Sequence, residues 1–360
     1  MDSIEKVRRE IDSVDDAIAD LFVRRMELAD RIAEAKRESG TKVADPAREH
    51  AILSRIAAKC GPELEDAAKR IYSTLFAISR ERQRFVMRGE SRLEGVKVAV
   101  AGLGLIGGSL LKAAKAVGYE TIAIHHGDDV KAVDADFLFV AMPPAATVPW
   151  IRDHAGAFRE GCVVMDVCGV KRPVVEGLAG VERRGWVFLP AHPMAGREKG
   201  GFENSTASLF MGASMIVTPG DDVPPAALEA AKNLFSSLGF ASTVVTTPER
   251  HDEMISFTSQ LCHVIASAYA RDERVADSIG FSAGSYANMT RIATMDENTW
   301  ADLFLSDADK LVPVIDGFVE RMLQYRDAVR DGDREALKAI ILEGAEAKRR
   351  ELKARGEENA

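Results

Sequence analysis

From Ile4 onward, isoleucines at positions 4, 11, 18 and 32 lie seven or fourteen residues apart, and Val7, Val14, Leu21, Leu28 and Ala35 form a second row three residues on. This a/d repeat predicts a single helix from Ile4 to Glu38, about 50 Å long at ~1.5 Å per residue. Gly40 ends it. Asp45-Pro46 reads as an N-cap followed by proline at the first helical position, opening a second helix to Lys59. A third spans Leu64–Met87. Three helices of which one is so long cannot close into a compact monomer, so the pattern predicts an intertwined helical dimer.

The texture changes at Gly89–Glu94, where a domain boundary is expected. Beyond it, short β-rich runs alternate with glycine-containing turns. Strands are predicted at Val96–Gly102, Thr121–Ile124, Phe137–Ala141, Val163–Asp166, Val187–Leu189 and Ser214–Thr218, with a helix over Ser109–Val117. Such alternation implies a mostly parallel sheet with helices on both faces. The twelve residues His125–Asp136 are too few for a full crossover helix. From Pro248 the pattern returns to helix.

Composition narrows the function classes. At 46% hydrophobic and 29% charged the chain is an ordinary globular protein. Residues 1–92 carry 19 basic and 18 acidic side chains, and the rest carries 28 and 38, for −9 overall. That balance argues against nucleic acid or an anionic membrane as the main partner. No apolar run approaches the ~20 residues of a membrane helix, and the start lacks the basic and apolar stretches of a secretory leader. The four cysteines, Cys60, Cys162, Cys168 and Cys262, have no metal-like or paired spacing. No metal is expected, and free thiols fit a reducing cytoplasm.

Gly102-Leu103-Gly104-Leu105-Ile106-Gly107 follows a strand and opens a helix, the setting of a dinucleotide-binding turn. The glycines allow a tight turn, close approach of the backbone to a pyrophosphate, and close helix–strand packing; the alternative is a purely structural turn. No acid stands directly at the end of the second strand to meet the ribose hydroxyls. His125 and His126 are there instead, so His125 is expected beside the adenosine ribose. Leu189-Pro190-Ala191-His192-Pro193-Met194-Ala195-Gly196 places a histidine at a strand's carboxyl end, where ligands bind in such sheets, with a pKa suited to proton transfer. Asp166-Val167-Cys168-Gly169-Val170-Lys171 is a second strand-end turn, from which Lys171 can reach an anion. In the C-terminal helices His263 and Arg291 suit a carboxylate, or equally packing and ion pairing. In the first helix Arg25 sits at an a position between Ile18 and Ile32, with Arg8 and Lys36 flanking the seam. A cation in an apolar seam is costly unless it meets an anion. Arg48 and Glu49 open the second helix, and Ser79 and Gln83 share a face of the third. Guanidinium groups converging inside a helical bundle suit a small dianion; interhelical ion pairs are the other reading.

Taken together these motifs resemble two known families. Val7-Arg8, Arg24-Arg25-Met26-Glu27-Leu28-Ala29, Ala35-Lys36, Asp45-Pro46-Ala47-Arg48-Glu49 and Ser79…Gln83 resemble the all-helical chorismate mutases. The glycine turn with Ser109, Asp166…Lys171, His192-Pro193-Met194-Ala195-Gly196 and Thr290-Arg291-Ile292-Ala293 resemble prephenate dehydrogenase. The fold class expected is therefore multidomain: an all-α chorismate-mutase-like helical dimer domain over residues 1–92, an α/β Rossmann-type dinucleotide-binding domain over 93–246, and an all-α C-terminal substrate and dimerisation domain over 247–360.

The resemblance implies that Arg25, Arg48 and Ser79, with Arg8 from the other subunit, hold the two carboxylates of chorismate. Lys36 and Gln83 bond the ether oxygen, and Glu49 and the backbone at Asp45 hold the ring hydroxyl. In the dehydrogenase it implies His192 as the base on the ring hydroxyl of prephenate, Arg291 on a substrate carboxylate, and Lys171 and His263 in the same pocket. NAD is the implied cofactor, with NADP left open by the missing acid. The implied assembly is a cytoplasmic homodimer with shared mutase sites, acting in tyrosine biosynthesis. Gly169 departs from the family, which often has serine there. The rival reading is a prephenate or arogenate dehydrogenase whose helical N-terminus only dimerises or senses an effector; Lys36 and Gln83 argue against it, because a pure dimerisation module needs neither.

Overall fold

The structure is a computed structural model and describes residues 4–87, 93–197, 199–282 and 284–355. Most of the boundary expected at Gly89–Glu94, residues 89–92, lies outside the described residues. The chain divides into two compact units, Met1–Pro248 and Glu249–Ala360.

The first unit opens with α1 (Ile4–Ser39), α2 (Pro46–Cys60) and α3 (Glu65–Met87). The Asp45 side chain accepts the Arg48 N–H at 3.0 Å, so the cap read from Asp45-Pro46 starts α2. Helix α3 packs against both α1 and α2. The buried apolar residues of this bundle are few and mostly small: Ala29, Ala33, Ala57, Ala68 and Phe76. The heptad seam stays bare in the single chain, with Ile4, Ile11, Val14, Ile18 and Leu21 each more than half exposed. A stripe of that size marks an interface.

Next come β1 (Lys97–Ala101), α4 (Leu105–Val117), β2 (Glu120–Ile124), β3 (Phe137–Val140), α5 (Pro144–His154), β4 (Val163–Asp166), α6 (Arg172–Gly177) and β5 (Val187–Phe188). The five strands form a parallel sheet in the order β2-β1-β3-β4-β5. Alternate residues feed two cores. Val98, Val100, Phe139 and Met165 pack with Leu110 of α4, while Ala99, Leu138 and Val164 pack with Ile151 of α5 and Val174 of α6. Both faces are covered, which is why these strands read as continuous apolar runs. Between β2 and β3 there is no helix, as the short spacing required.

A second sheet was not anticipated as such. It consists of β6 (Ala191–Pro193), β7 (Ser214–Val217) and β8 (Ser242–Val245), in that order, with α7 (Pro225–Ser237) before β8. Strand β6 runs antiparallel to β7, and β8 parallel to it. Helix α7 adds Leu234 and Phe235 to the core that holds Phe139, with the Phe139 and Phe235 rings 6.5 Å apart.

In the second unit α8 (Pro248–Ile255) runs through one π-helical turn, Ser256–Gln260, into α9 (Leu261–Ala270), followed by α10 (Gly284–Thr290), α11 (Glu297–Ser306), α12 (Ala308–Arg330) and α13 (Arg334–Arg355). Among the described residues no helix is long and apolar enough to cross a membrane.

Candidate active sites

A cavity of about 590 Å³ lies between α1, α2 and α3. Helix geometry assembles it. Arg25, Ala29, Ile32 and Lys36 recur at three- and four-residue steps on α1, as do Arg48, Ile52 and Arg55 on α2, and Phe76, Ser79 and Gln83 on α3, so each set shares a face. The floor is apolar and the walls carry cations. Arg25 donates to the Leu75 carbonyl at 3.3 Å, with its guanidinium 5.7 Å from the centre of the Phe76 ring. Lys36 donates to the Val43 carbonyl at 2.6 Å. Glu49 accepts from Arg80, whose Nη1 stands 2.6 Å from each carboxylate oxygen. Gln83 donates to Ser79 Oγ at 3.3 Å, and its own Oε1 is buried without a partner. Leaving such an atom unmatched costs about 1–3 kcal/mol, so this corner suits a polar ligand atom. Arg8 is exposed, 3.9 Å from Glu5. It precedes Arg25 by 17 residues, ~25 Å along α1, and does not line its own chain's cavity.

At the carboxyl end of β1 the glycine turn has the features a nucleotide requires. Gly102 adopts φ +87°, in the left-handed region, and a Cβ there would stand 2.5 Å from the Ala141 carbonyl oxygen. A Cβ on Gly107 would stand 1.9 Å from the Gly102 oxygen, so only glycine lets α4 pack so close. A Cβ on Gly104 would meet nothing within 4 Å, which leaves that face open. Gly104 caps α4 with no side-chain bond and no acid follows in the first turn, so the helix's amide donors are available to an anion. Leu103, Leu105 and Ile106 are half-buried beneath the turn. The order β2-β1-β3 makes this the topological switch point, where ligands bind. His125 is exposed at the end of β2, and its N–H donates to Asp128 Oδ2 at 2.7 Å. That carboxylate is thus engaged by the turn itself.

His192 is half-buried on β6, opposite Ile216 of β7. Its main-chain neighbour Ala191 is clamped. Asp166, the last residue of β4, accepts the Ala191 N–H at 3.4 Å and the Cys168 N–H at 3.1 Å, while Lys171 pairs with Asp166 and donates to the Ala191 carbonyl at 2.6 Å.

Known proteins resemble each part of this chain. The model of the prephenate dehydrogenase nucleotide-binding domain matches residues 92–244, and that of the prephenate dehydrogenase dimerisation domain matches residues 247–343. The chain is 30% identical over 266 residues to the cyclohexadienyl dehydrogenase of Zymomonas mobilis, which covers 66% of this chain and 90% of that protein. The chain belongs to the prephenate dehydrogenase family. The chorismate mutase type II model matches residues 7–84. The T-protein of Enterobacter agglomerans is 26% identical over 350 residues, covering 92% of this chain and 89% of that one. The crystal structure of prephenate dehydrogenase from A. aeolicus with hydroxyphenyl propionate and NAD+ has the same fold, with a TM-score of 0.61 at 24% identity over 72% of this chain and 99% of that one. The protein is thus a bifunctional enzyme of tyrosine biosynthesis, a chorismate mutase joined to a prephenate dehydrogenase.

Within the dehydrogenase domain, Lys171 departs from expectation. It is fully buried, and its ammonium is taken up by Asp166 and the Ala191 carbonyl, so it anchors the strand that carries His192 and does not reach outward to an anion. Cys168, beside the departure at Gly169, is turned inward: its Sγ lies 3.4 Å from Thr147 Oγ1, and burial, reinforced by the Asp166 carboxylate, pushes its thiol up to about 12. In the second unit, His263 stacks on Trp300 at 3.6 Å between ring centres and bonds the Ser259 carbonyl at 3.0 Å. Burial holds its pKa below the usual histidine value against the opposing pull of that carbonyl. Helix α9 packs on the short turn Arg291–Ala293, where Arg291 is exposed.

Sequence reasoning overlooked three residues. Asp166 is a strand-end acid whose sequence context carries no sign of its bonds to Lys171 and the Ala191 and Cys168 main chain. Arg80 and Arg55 line the mutase cavity; Arg80 stands three residues before Gln83 and Arg55 seven after Arg48, helical spacings that place each on the cavity face. Among the described residues no cluster of three or more His, Cys, Asp or Glu is arranged to hold a metal.

Proposed function

We propose that each mutase site is built by two chains and acts by electrostatic folding of its substrate. The observation that carries this is the cation-walled cavity of about 590 Å³ beside a bare apolar seam. In this reading Arg25, Arg48 and Ser79, with Arg8 of the partner subunit, grip the two carboxylates of chorismate. The Claisen rearrangement needs no nucleophile and no proton transfer. It needs the enolpyruvyl side chain held over the ring, which fixed cations enforce. Negative charge grows on the ether oxygen as its bond to the ring breaks, and Lys36 and Gln83 supply donors there. Turning the Gln83 amide over lets its oxygen accept the Ser79 hydroxyl proton and presents its NH2 to the cavity. Glu49 and the main chain at Asp45 hold the ring hydroxyl.

In the dehydrogenase, the glycine turn and the uncapped end of α4 fit the pyrophosphate of NAD, and His125 stands where the adenosine ribose would lie. NAD, when bound, would supply the hydride acceptor for the ring carbon that bears the hydroxyl. His192 takes the hydroxyl proton, the ring carboxylate departs as CO2, and the ring becomes aromatic. Arg291 binds a substrate carboxylate, and His263, neutral at pH 7, is a lesser contributor. Lys171 and Asp166 serve by holding the strand under His192. The four free thiols support a cytoplasmic setting. The deciding assay supplies chorismate with NAD and then with NADP, following chorismate loss and nicotinamide reduction together. Consumption of chorismate without reduction, or no consumption at all, would refute the corresponding half.

A further inference from the structure

Among the cations of the mutase cavity, Arg25 and Lys36 donate to main-chain carbonyls, which leaves their positive charge available to an anion. Arg80 is different. It is matched to Glu49, with one Nη1 at 2.6 Å from both carboxylate oxygens, and the pair ties α3 to α2 across the cavity wall. Both side chains are about three-quarters enclosed, at 29% and 27% exposure. The other charged groups lining the cavity are Arg25 and Lys36 from α1, and Asp45, Arg48 and Arg55 at α2. Without Arg80, Glu49 would be an uncancelled negative charge inside a site built for a dianion.

We infer that Arg80 is a positioning residue of the mutase: it holds the Glu49 carboxylate as an aimed acceptor for the substrate's ring hydroxyl and cancels the charge that would repel the substrate. The inference rests on the role given above to Glu49. A carboxylate gripped by a guanidinium presents only acceptor lone pairs, so the one ring substituent it favours is a hydrogen-bond donor.

The test compares Arg80→Met, Glu49→Gln and the double variant in the full chain, with helical circular dichroism and its thermal unfolding as the check on folding. Arg80→Met is expected to raise KM for chorismate about tenfold at about pH 8, with a smaller change in kcat. In the Glu49→Gln background the same substitution changes KM by less than about twofold. Arg80→Lys, which keeps the charge, retains most of the wild-type affinity and covers the case in which Arg80→Met does not fold. Equal effects of Arg80→Met in both backgrounds would show that Arg80 touches the substrate itself and overturn the inference, as would a silent Arg80→Met. Wild-type kinetics in Glu49→Gln would overturn the role of Glu49, and this inference with it; a Glu49→Gln defect without coupling would overturn Arg80 alone.

Discussion

A lysine sealed from water is tolerated only when paired, and Lys171 is paired with Asp166 and with the carbonyl beside His192. Removing one member of such a pair strands the other. Lys171→Met is expected to cost about 3–5 kcal/mol in denaturant unfolding of the first unit. A substrate-gripping lysine would instead leave stability intact and raise KM for prephenate. At the mutase, Lys36→Ala is expected to lower kcat/KM for chorismate about 100- to 1,000-fold, the usual effect of losing one donor to developing charge. Thiol reactivity gives a further check. Cys60 and Cys262 are exposed, whereas burial raises the thiols of Cys162 and Cys168 to about 12. The thiolate is the nucleophile, so at about pH 8 alkylation of the folded enzyme should label the first two and spare the other two, which become reactive only on unfolding.

At the level of elements, the regular ones follow from their patterns. The heptad repeat predicted Ile4–Glu38 and α1 spans Ile4–Ser39; the apolar run Val163–Asp166 is β4. Strand β8, Ser242–Val245, gave no warning because its residues are mostly exposed and it is set by pairing with β7. Strand β6 is three residues long and ends in proline, so only the antiparallel partner makes it a strand. The bare seam of α1 carries its own prediction. Ile11→Asp with Ile18→Asp places charges where two chains should meet, and is expected to abolish mutase turnover while prephenate oxidation persists, because the model of a separate dimerisation domain matches residues 247–343. Mutase activity that survives with the seam broken would rule out shared sites.

Over the whole molecule, the two chemistries occupy different folds and should be separable. His192→Asn is expected to reduce prephenate oxidation roughly 100- to 10,000-fold, the range for loss of a general base, and to leave chorismate loss unchanged; Lys36→Ala is expected to do the reverse. Assays of each step with its own substrate decide this. Charge divides at the same place, near neutral over residues 1–92 and strongly acidic beyond.

The architecture and most of the site were legible in order and spacing alone. Helical period, strand period, a glycine turn between strand and helix, and cations at seam positions are local properties, and local sterics and burial decide them. Which partners Arg80, Asp166 and Lys171 take was decided only by tertiary structure. Each is a charged side chain whose partner lies on another segment, and an arginine in α3 reads the same in sequence whether it faces water or Glu49. The energy of a charge depends on what surrounds it in space, and only the folded chain determines those surroundings.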